Sequence, residues 1–163
     1  MKTLLVLRHA KSSWKNANLA DFDRPLNKRG KNDAPRMGEL LRREGIVPDL
    51  IISSSAERAL TTAEAIALAC GYESEIQTTR QLYHAWPDDY VEITNTVPNE
   101  YDRVMVVGHN PGIESLVEEL TGESIRMPTA ALVQISLKTN QWSELSLEPE
   151  NVLVNIWRPK ELF

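Results

Sequence analysis

Three short, unbroken apolar runs constrain this chain most. They are residues 4–7 (Leu-Leu-Val-Leu), 50–52 (Leu-Ile-Ile) and 104–107 (Val-Met-Val-Val). None of them spares a residue for a solvated face. Strands of that kind are covered on both faces, the situation of central parallel strands between two helical layers. A helical pattern follows each run. Ile113, Leu116, Val117 and Leu120 recur at helical spacing, with Gly122 as a stop. Residues 56–70 place Ala59, Ala63, Ile66 and Cys70 on one face and end at Gly71. Residues 28–44 turn Met37, Leu40 and Leu41 inward, and Pro35 leaves two possible starts, near Asp33 or after Asn27 with a kink. A further short helix is expected over 87–97, after Pro87.

The last third changes character. Residues 131–138 and 142–148 alternate with a period near two around Thr139-Asn140-Gln141, which predicts an antiparallel hairpin. Residues 151–163 show no period and are expected to pack as an irregular tail. Together these elements predict the α/β class: a three-layer α/β/α sandwich, its sheet mainly parallel with a C-terminal antiparallel hairpin. At 163 residues, with no linker or repeat, residues 1–163 are expected to form one domain. Cys70 is the only cysteine, so no internal disulfide can form. A net charge of −5 argues against a nucleic-acid or anionic-membrane surface. The first apolar run stops at Arg8, too short for a secretory segment, and no stretch approaches the roughly 20 apolar residues of a membrane span. A soluble, cytoplasmic protein is the expectation.

Open parallel sheets place their sites beyond the carboxyl ends of the strands. The residues there are Arg8-His9-Ala10-Lys11-Ser12, then Ser53-Ser54-Ser55 leading to Arg58, then Gly108-His109-Asn110-Pro111-Gly112. Two arginines offer planar forks of donors that match phosphoryl oxygens. One imidazole can attack phosphorus and carry the phosphoryl group, and a second can donate to its oxygens as charge redistributes. Such a site needs no metal, because its cationic side chains supply the electrostatics. His9, His109 and Cys70 lack the clustered spacing of zinc ligands. No cofactor is expected.

These residues resemble the histidine phosphatase superfamily. Its Arg-His-Gly hallmark stands here as Arg8-His9-Ala10. The resemblance continues through Asp23-Arg24-Pro25-Leu26-Asn27 and Gly30, Ser53-Ser54 with Arg58-Ala59 and Thr61-Thr62-Ala63, and Val107-Gly108-His109-Asn110-Pro111. The short chain and the Arg8-His9-Ala10-Lys11-Ser12 form are similar to SixA-type phosphohistidine phosphatases. The resemblance implies a phosphoglycerate mutase-like fold and a hydrolase. It also implies His9 as the phosphorylated nucleophile, Arg8 and Arg58 as phosphoryl clamps, and His109 as the group completing the pocket. Ser12, Asn16 and Asn110 follow as candidate substrate contacts.

Two departures from the family pattern matter. Ala10 replaces the hallmark glycine and narrows the backbone conformations open to that position. The glutamate that many members carry as a general acid is absent from Leu82-Tyr83-His84-Ala85-Trp86, which leaves His84, Asp88 and Asp89 as possible acids. An alkoxide leaving group needs a proton, whereas imidazole, with a reference pKa of about 6.5, needs far less help. The expectation is therefore a metal-independent phosphatase acting on phosphohistidine in a partner protein. The alternatives are a small-molecule phosphomonoesterase and a non-catalytic phosphoprotein-binding module. Trp14 and Trp86 are expected either to dock a protein or to cap the core, and Asp21 and Asp23 are expected near the site, either repelling polyanionic ligands or lying in a solvated loop.

Overall fold

The computed structural model describes residues Met1–Phe163. The three apolar runs become β1 (Thr3–Arg8), β2 (Leu50–Ser54) and β4 (Arg103–Gly108). β4 lies between the other two and pairs parallel with both, so all three deliver their carboxyl ends to one edge. β3 (Ile76–Thr79) extends the sheet beyond β2. β5 (Leu132–Ser136) and β6 (Val152–Trp157) extend it antiparallel beyond β1, giving the order β3-β2-β4-β1-β5-β6.

Alternation along the strands divides the core in two. Leu5, Leu7, Ile51, Met105 and Val107 pack with Met37, Leu41, Ala59 and Ile66 of α1 (Lys28–Arg43) and α2 (Glu57–Cys70). Leu4, Val6, Ile52, Val104 and Val106 pack with Tyr90, Ile113 and Val117 of α3 (Pro87–Asn95) and α4 (Gly112–Thr121). This is the expected three-layer sandwich. Burying both faces of the central strands is the largest stabilising term in such an arrangement, at about 25 cal/mol per Å² of apolar surface.

α1 starts directly after Asn27, whose side-chain oxygen accepts the Gly30 N–H at 2.9 Å and caps the helix. Pro35 therefore stands inside α1, where it removes one backbone donor. Gly30 is required by packing: a Cβ there would meet the Lys11 carbonyl oxygen at 2.2 Å. That close approach seats α1 against the loop leaving β1.

Two expectations in the last third are corrected. The hairpin partner of β5 is 152–157, not 142–148, and the expected tail holds β6 and a short helix, α5 (Pro159–Leu162). Residues Trp142–Glu144 form a single 3-10 turn. Trp142 is fully buried there, and its indole N–H donates to the Tyr101 carbonyl at 2.6 Å. The alternation of 142–148 thus reflects one anchored tryptophan rather than a strand.

Candidate active site

Arg8 ends β1 and His9 follows it. The His9 N–H donates to the Gly108 carbonyl at 3.1 Å, and the Ala130 N–H reaches both the Arg8 and the His9 carbonyls. Ala130 makes this double contact with φ at +62°, a left-handed conformation unusual for a residue with a Cβ. His84, the other non-glycine residue at positive φ, also borders the site. Backbone strain of this kind clusters at functional sites. Ala10 is fully buried and keeps φ negative, so the side chain at the hallmark glycine position is accommodated. Its N–H donates to the Thr62 hydroxyl at 3.0 Å, tying the loop after β1 to α2.

His9 Nδ1 lies 2.7 Å from the Ala10 carbonyl oxygen. A carbonyl only accepts, so Nδ1 carries the proton, and the lone pair of neutral His9 is on Nε2. Burial, reinforced by the charges of Arg58, Arg8 and Arg24, pushes the His9 pKa down to about 4 despite the Ala10 hydrogen bond. At neutral pH this ring is uncharged, with the Nε2 lone pair available. His109 stands 5.1 Å away between ring centroids. Burial, then the neighbouring His9 and Arg58, lowers its pKa to about 3. Its Nε2 is 2.8 Å from the Ser54 hydroxyl, and its buried Nδ1 has no protein partner. Gly108 makes room behind it. A Cβ there would meet the Tyr90 hydroxyl at 2.0 Å, and that hydroxyl accepts the His109 N–H at 3.4 Å.

These groups line a cleft of about 310 Å³ together with Lys11, Ser12, Trp14, Arg24 and His84. Asn110 also lines it, its side-chain amide donating to the Met127 carbonyl at 2.9 Å while its oxygen stays unpaired. Arg58, in the first turn of α2, is held by Asp21 through the backbone oxygen at 2.6 Å and the carboxylate at 3.0 Å. Arg8 donates to the Met127 carbonyl, while its buried Nε has no partner. No carboxylate lines the cleft.

The sequence-predicted residues divide cleanly. Arg8, His9, Ser12, Arg58, His84, His109 and Asn110 come together. Asn16 does not: it is exposed, and its side-chain oxygen accepts the Asn18 N–H. Asp89 accepts the Trp86 N–H at the start of α3, and Asp88 is exposed in the same first turn, so neither lines the cleft. Trp14 and Trp86 are 74% and 68% exposed and flank the mouth rather than capping the core.

Two further groups complete the site. Arg24 is buried, donates to the Ser12 hydroxyl at 2.5 Å, and stacks on the Trp14 ring. Asp21 is neither a free repelling charge nor a solvated-loop residue: it accepts from Arg24, Arg58 and Tyr83. Burial raises its pKa, but those three hydrogen bonds win and hold its carboxyl well below the usual carboxylate range. Asp21 is thus an ionised brace, at neutral pH, for two cleft arginines. The signal for Arg24 was present in Asp23-Arg24-Pro25-Leu26-Asn27. Nothing in the sequence linked Asp21 to Arg58, 37 residues away.

A sandwich that gathers three imidazoles and three guanidinium groups in one cleft beyond the carboxyl ends of its parallel strands is built to handle a phosphoryl group. The profile of the histidine phosphatase superfamily, branch 1, matches residues 4–84. An uncharacterised chloroplastic protein of Arabidopsis thaliana is 32% identical over 152 residues, covering 88% of this chain and 70% of that protein. The chain belongs to the histidine phosphatase superfamily and is a phosphatase, a hydrolase. Within the superfamily it is similar to the SixA group. A proposed phosphohistidine phosphatase SixA from Agrobacterium tumefaciens superposes with a TM-score of 0.82 at 28% identity, covering 97% of this chain and 99% of that one. The protein histidine phosphatase SixA solved with tungstate shares the fold, with a TM-score of 0.84 at 20% identity over 99% of both chains. The fold is therefore the expected phosphoglycerate mutase-like one.

Proposed function

We propose that the chain is a metal-independent phosphohistidine phosphatase acting on a phosphoprotein through a phospho-His9 intermediate. The observation that carries this reading is a cleft with a nucleophilic imidazole, many cationic donors and no carboxylic acid. His9 Nε2 attacks phosphorus, and the P–N bond to the substrate imidazole breaks. Arg8, Arg24 and Arg58 hold the phosphoryl oxygens, and His109 donates to them from Nδ1 when the Ser54 hydroxyl supplies the hydrogen to Nε2. The substrate imidazole departs with a proton already on it or taken from water. Water then attacks phospho-His9, releasing inorganic phosphate and returning the ring to its starting form. An imidazole leaving group suits this site because it needs no strong acid, whereas an alkoxide does.

His84 favours a second reading, small phosphate esters, because it is the one candidate acid in the cleft. A paired turnover assay in the presence of a chelator separates the two. Strong preference for a phosphohistidine protein over an alkyl phosphate supports the first reading. Preference for the ester, lost in His84→Gln, replaces it with the second. Loss of all turnover on chelation removes the metal-independent element.

A further inference from the structure

The charges of this acidic chain are unevenly placed. Residues 8–43 hold ten lysines and arginines against four acids, while the rest of the chain holds eight against nineteen. The structure sets Lys15, Lys28, Arg29, Lys31 and Arg36 of that stretch along a hollow and a groove beside the catalytic mouth. Beside the cleft, beyond Ser12 and Trp14, a hollow of about 490 Å³ is walled by Ser13, Lys15, Lys28 and Lys31. Lys28 and Asn32 carry it into a groove of about 570 Å³ that adds Arg29, Arg36 and Lys160. Lys15, Lys28 and Lys31 are exposed, and no carboxylate lies within 4 Å of them. Asp33, the acid in the groove, is buried and turned to Arg29 at 3.5 Å.

This placement opposes the local rules of helix stability. The first turn of α1 holds Lys28, Arg29 and Lys31 and no acid, at the end of the helix where positive charge is unfavourable. Violations of local consistency are expected where function needs them. A positive face next to an active site steers a negative partner and fixes its orientation. The rest of the chain, net acidic, disfavours contact with the same partner elsewhere. Trp14, exposed between the cleft and the hollow, is placed as an aromatic anchor.

We propose that this face, from Lys15 across Lys28 and Lys31 to Arg36, docks the acidic surface of the folded protein whose phosphohistidine enters the cleft. The inference rests on the phosphohistidine reading of that cleft and adds the character of the partner: a protein acidic around its phosphorylated histidine.

The test is the full chain carrying Lys15→Glu, Lys28→Glu and Lys31→Glu, none of which lines the cleft. Two probes are used, an acidic protein domain phosphorylated on a surface histidine and free phosphohistidine. The expected result is a drop of roughly 10- to 100-fold in kcat/KM on the domain, through KM, with free phosphohistidine unchanged. The wild-type rate on the domain falls steeply with salt, and that of the variant falls less. The thermal midpoint is unchanged or raised, because α1 loses cations from its positive end, and this also shows that the variant folds. A Gln triple variant gives the same direction with a smaller drop. Unchanged turnover of the domain overturns the docking proposal and leaves the phosphohistidine reading standing. If wild type cleaves neither probe, that reading fails, and docking is judged from domain binding to the His9→Ala chain with and without the three reversals. Equal binding overturns docking, and so does tighter binding of an RNA oligonucleotide than of the acidic domain.

Discussion

The two ends of the central strands are made of similar polar residues used in opposite ways. At the amino ends, Lys2 is saturated by the Asn99 and Tyr101 carbonyls and the Asp102 carboxylate. Asp49 there accepts the N–H groups of both Asp102 and Arg103 at 2.9 Å. Only Arg103 Nε lacks a partner at that end. At the carboxyl ends, Arg8 Nε, His109 Nδ1 and Asn110 Oδ1 are all buried without a protein partner. Buried polar groups are normally paired, because leaving one unpaired costs about 1–3 kcal/mol. One end of the sheet therefore commits its polar groups to holding the fold, and the other leaves two buried nitrogens, Arg8 Nε and His109 Nδ1, free to donate to an anion, and one oxygen, Asn110 Oδ1, free to accept. Substitutions at the two ends should separate accordingly, activity failing at one and stability at the other.

His9→Ala is the largest expected effect. It removes the nucleophile of the proposed mechanism, and turnover should fall by a factor on the order of 10³ or more while circular dichroism and the thermal midpoint hold. A folded but active variant would remove the distinction at its centre. Arg58→Ala should lower kcat by roughly 10²-fold, the scale of losing one preorganised donor to transition-state charge. Asp21→Asn should cost about 10-fold, because the brace on Arg58 and Arg24 weakens while every cleft residue remains. Asp21→Glu should recover part of that loss, which distinguishes bracing from gross damage.

Asp49→Ala should do the reverse. It is expected to lower folding stability by about 1 kcal/mol in denaturant titrations and leave kcat/KM within twofold. The pH response sharpens the contrast further. The unfolded chain protonates its histidines near 6.5, whereas folded His9 and His109 do so only near 4 and 3. Their contribution to stability is therefore complete above pH 6.5 and declines as the pH falls through about 4 for His9 and on to about 3 for His109. Imidazole proton resonances should report both midpoints well below 6.5, and a midpoint at or above 6.5 for His9 would contradict its burial among arginines.

What the sequence disclosed follows the same division. β1, β2 and β4 were legible because burial on both faces forces unbroken apolar runs, and their carboxyl ends pointed directly to Arg8, His9, Arg58 and His109. β3 and β6 were hidden because they are edge strands. Residues 76–79 and 152–157 keep substantial exposure, so neither run nor clean alternation marks them. Asn16 was placed at the site by counting along the chain, but its loop turns outward and spends the side chain on Asn18. Asp88 and Asp89 have the chemistry of acids but sit where a helix start uses carboxylates. Arg24 lines the cleft and Asp21 braces it from outside, at a 3-10 turn whose partners Arg58 and Tyr83 come from distant parts of the chain.

The most direct test of the account is to quench the enzyme during turnover and look for a covalent phosphoryl group. The expected result is one phosphoryl group per chain, labile in acid and stable in base as a phosphoramidate should be, mapping to His9 and absent from His9→Ala. A labelled His9→Ala chain, or a phosphoryl group on any other residue of the wild type, would contradict it.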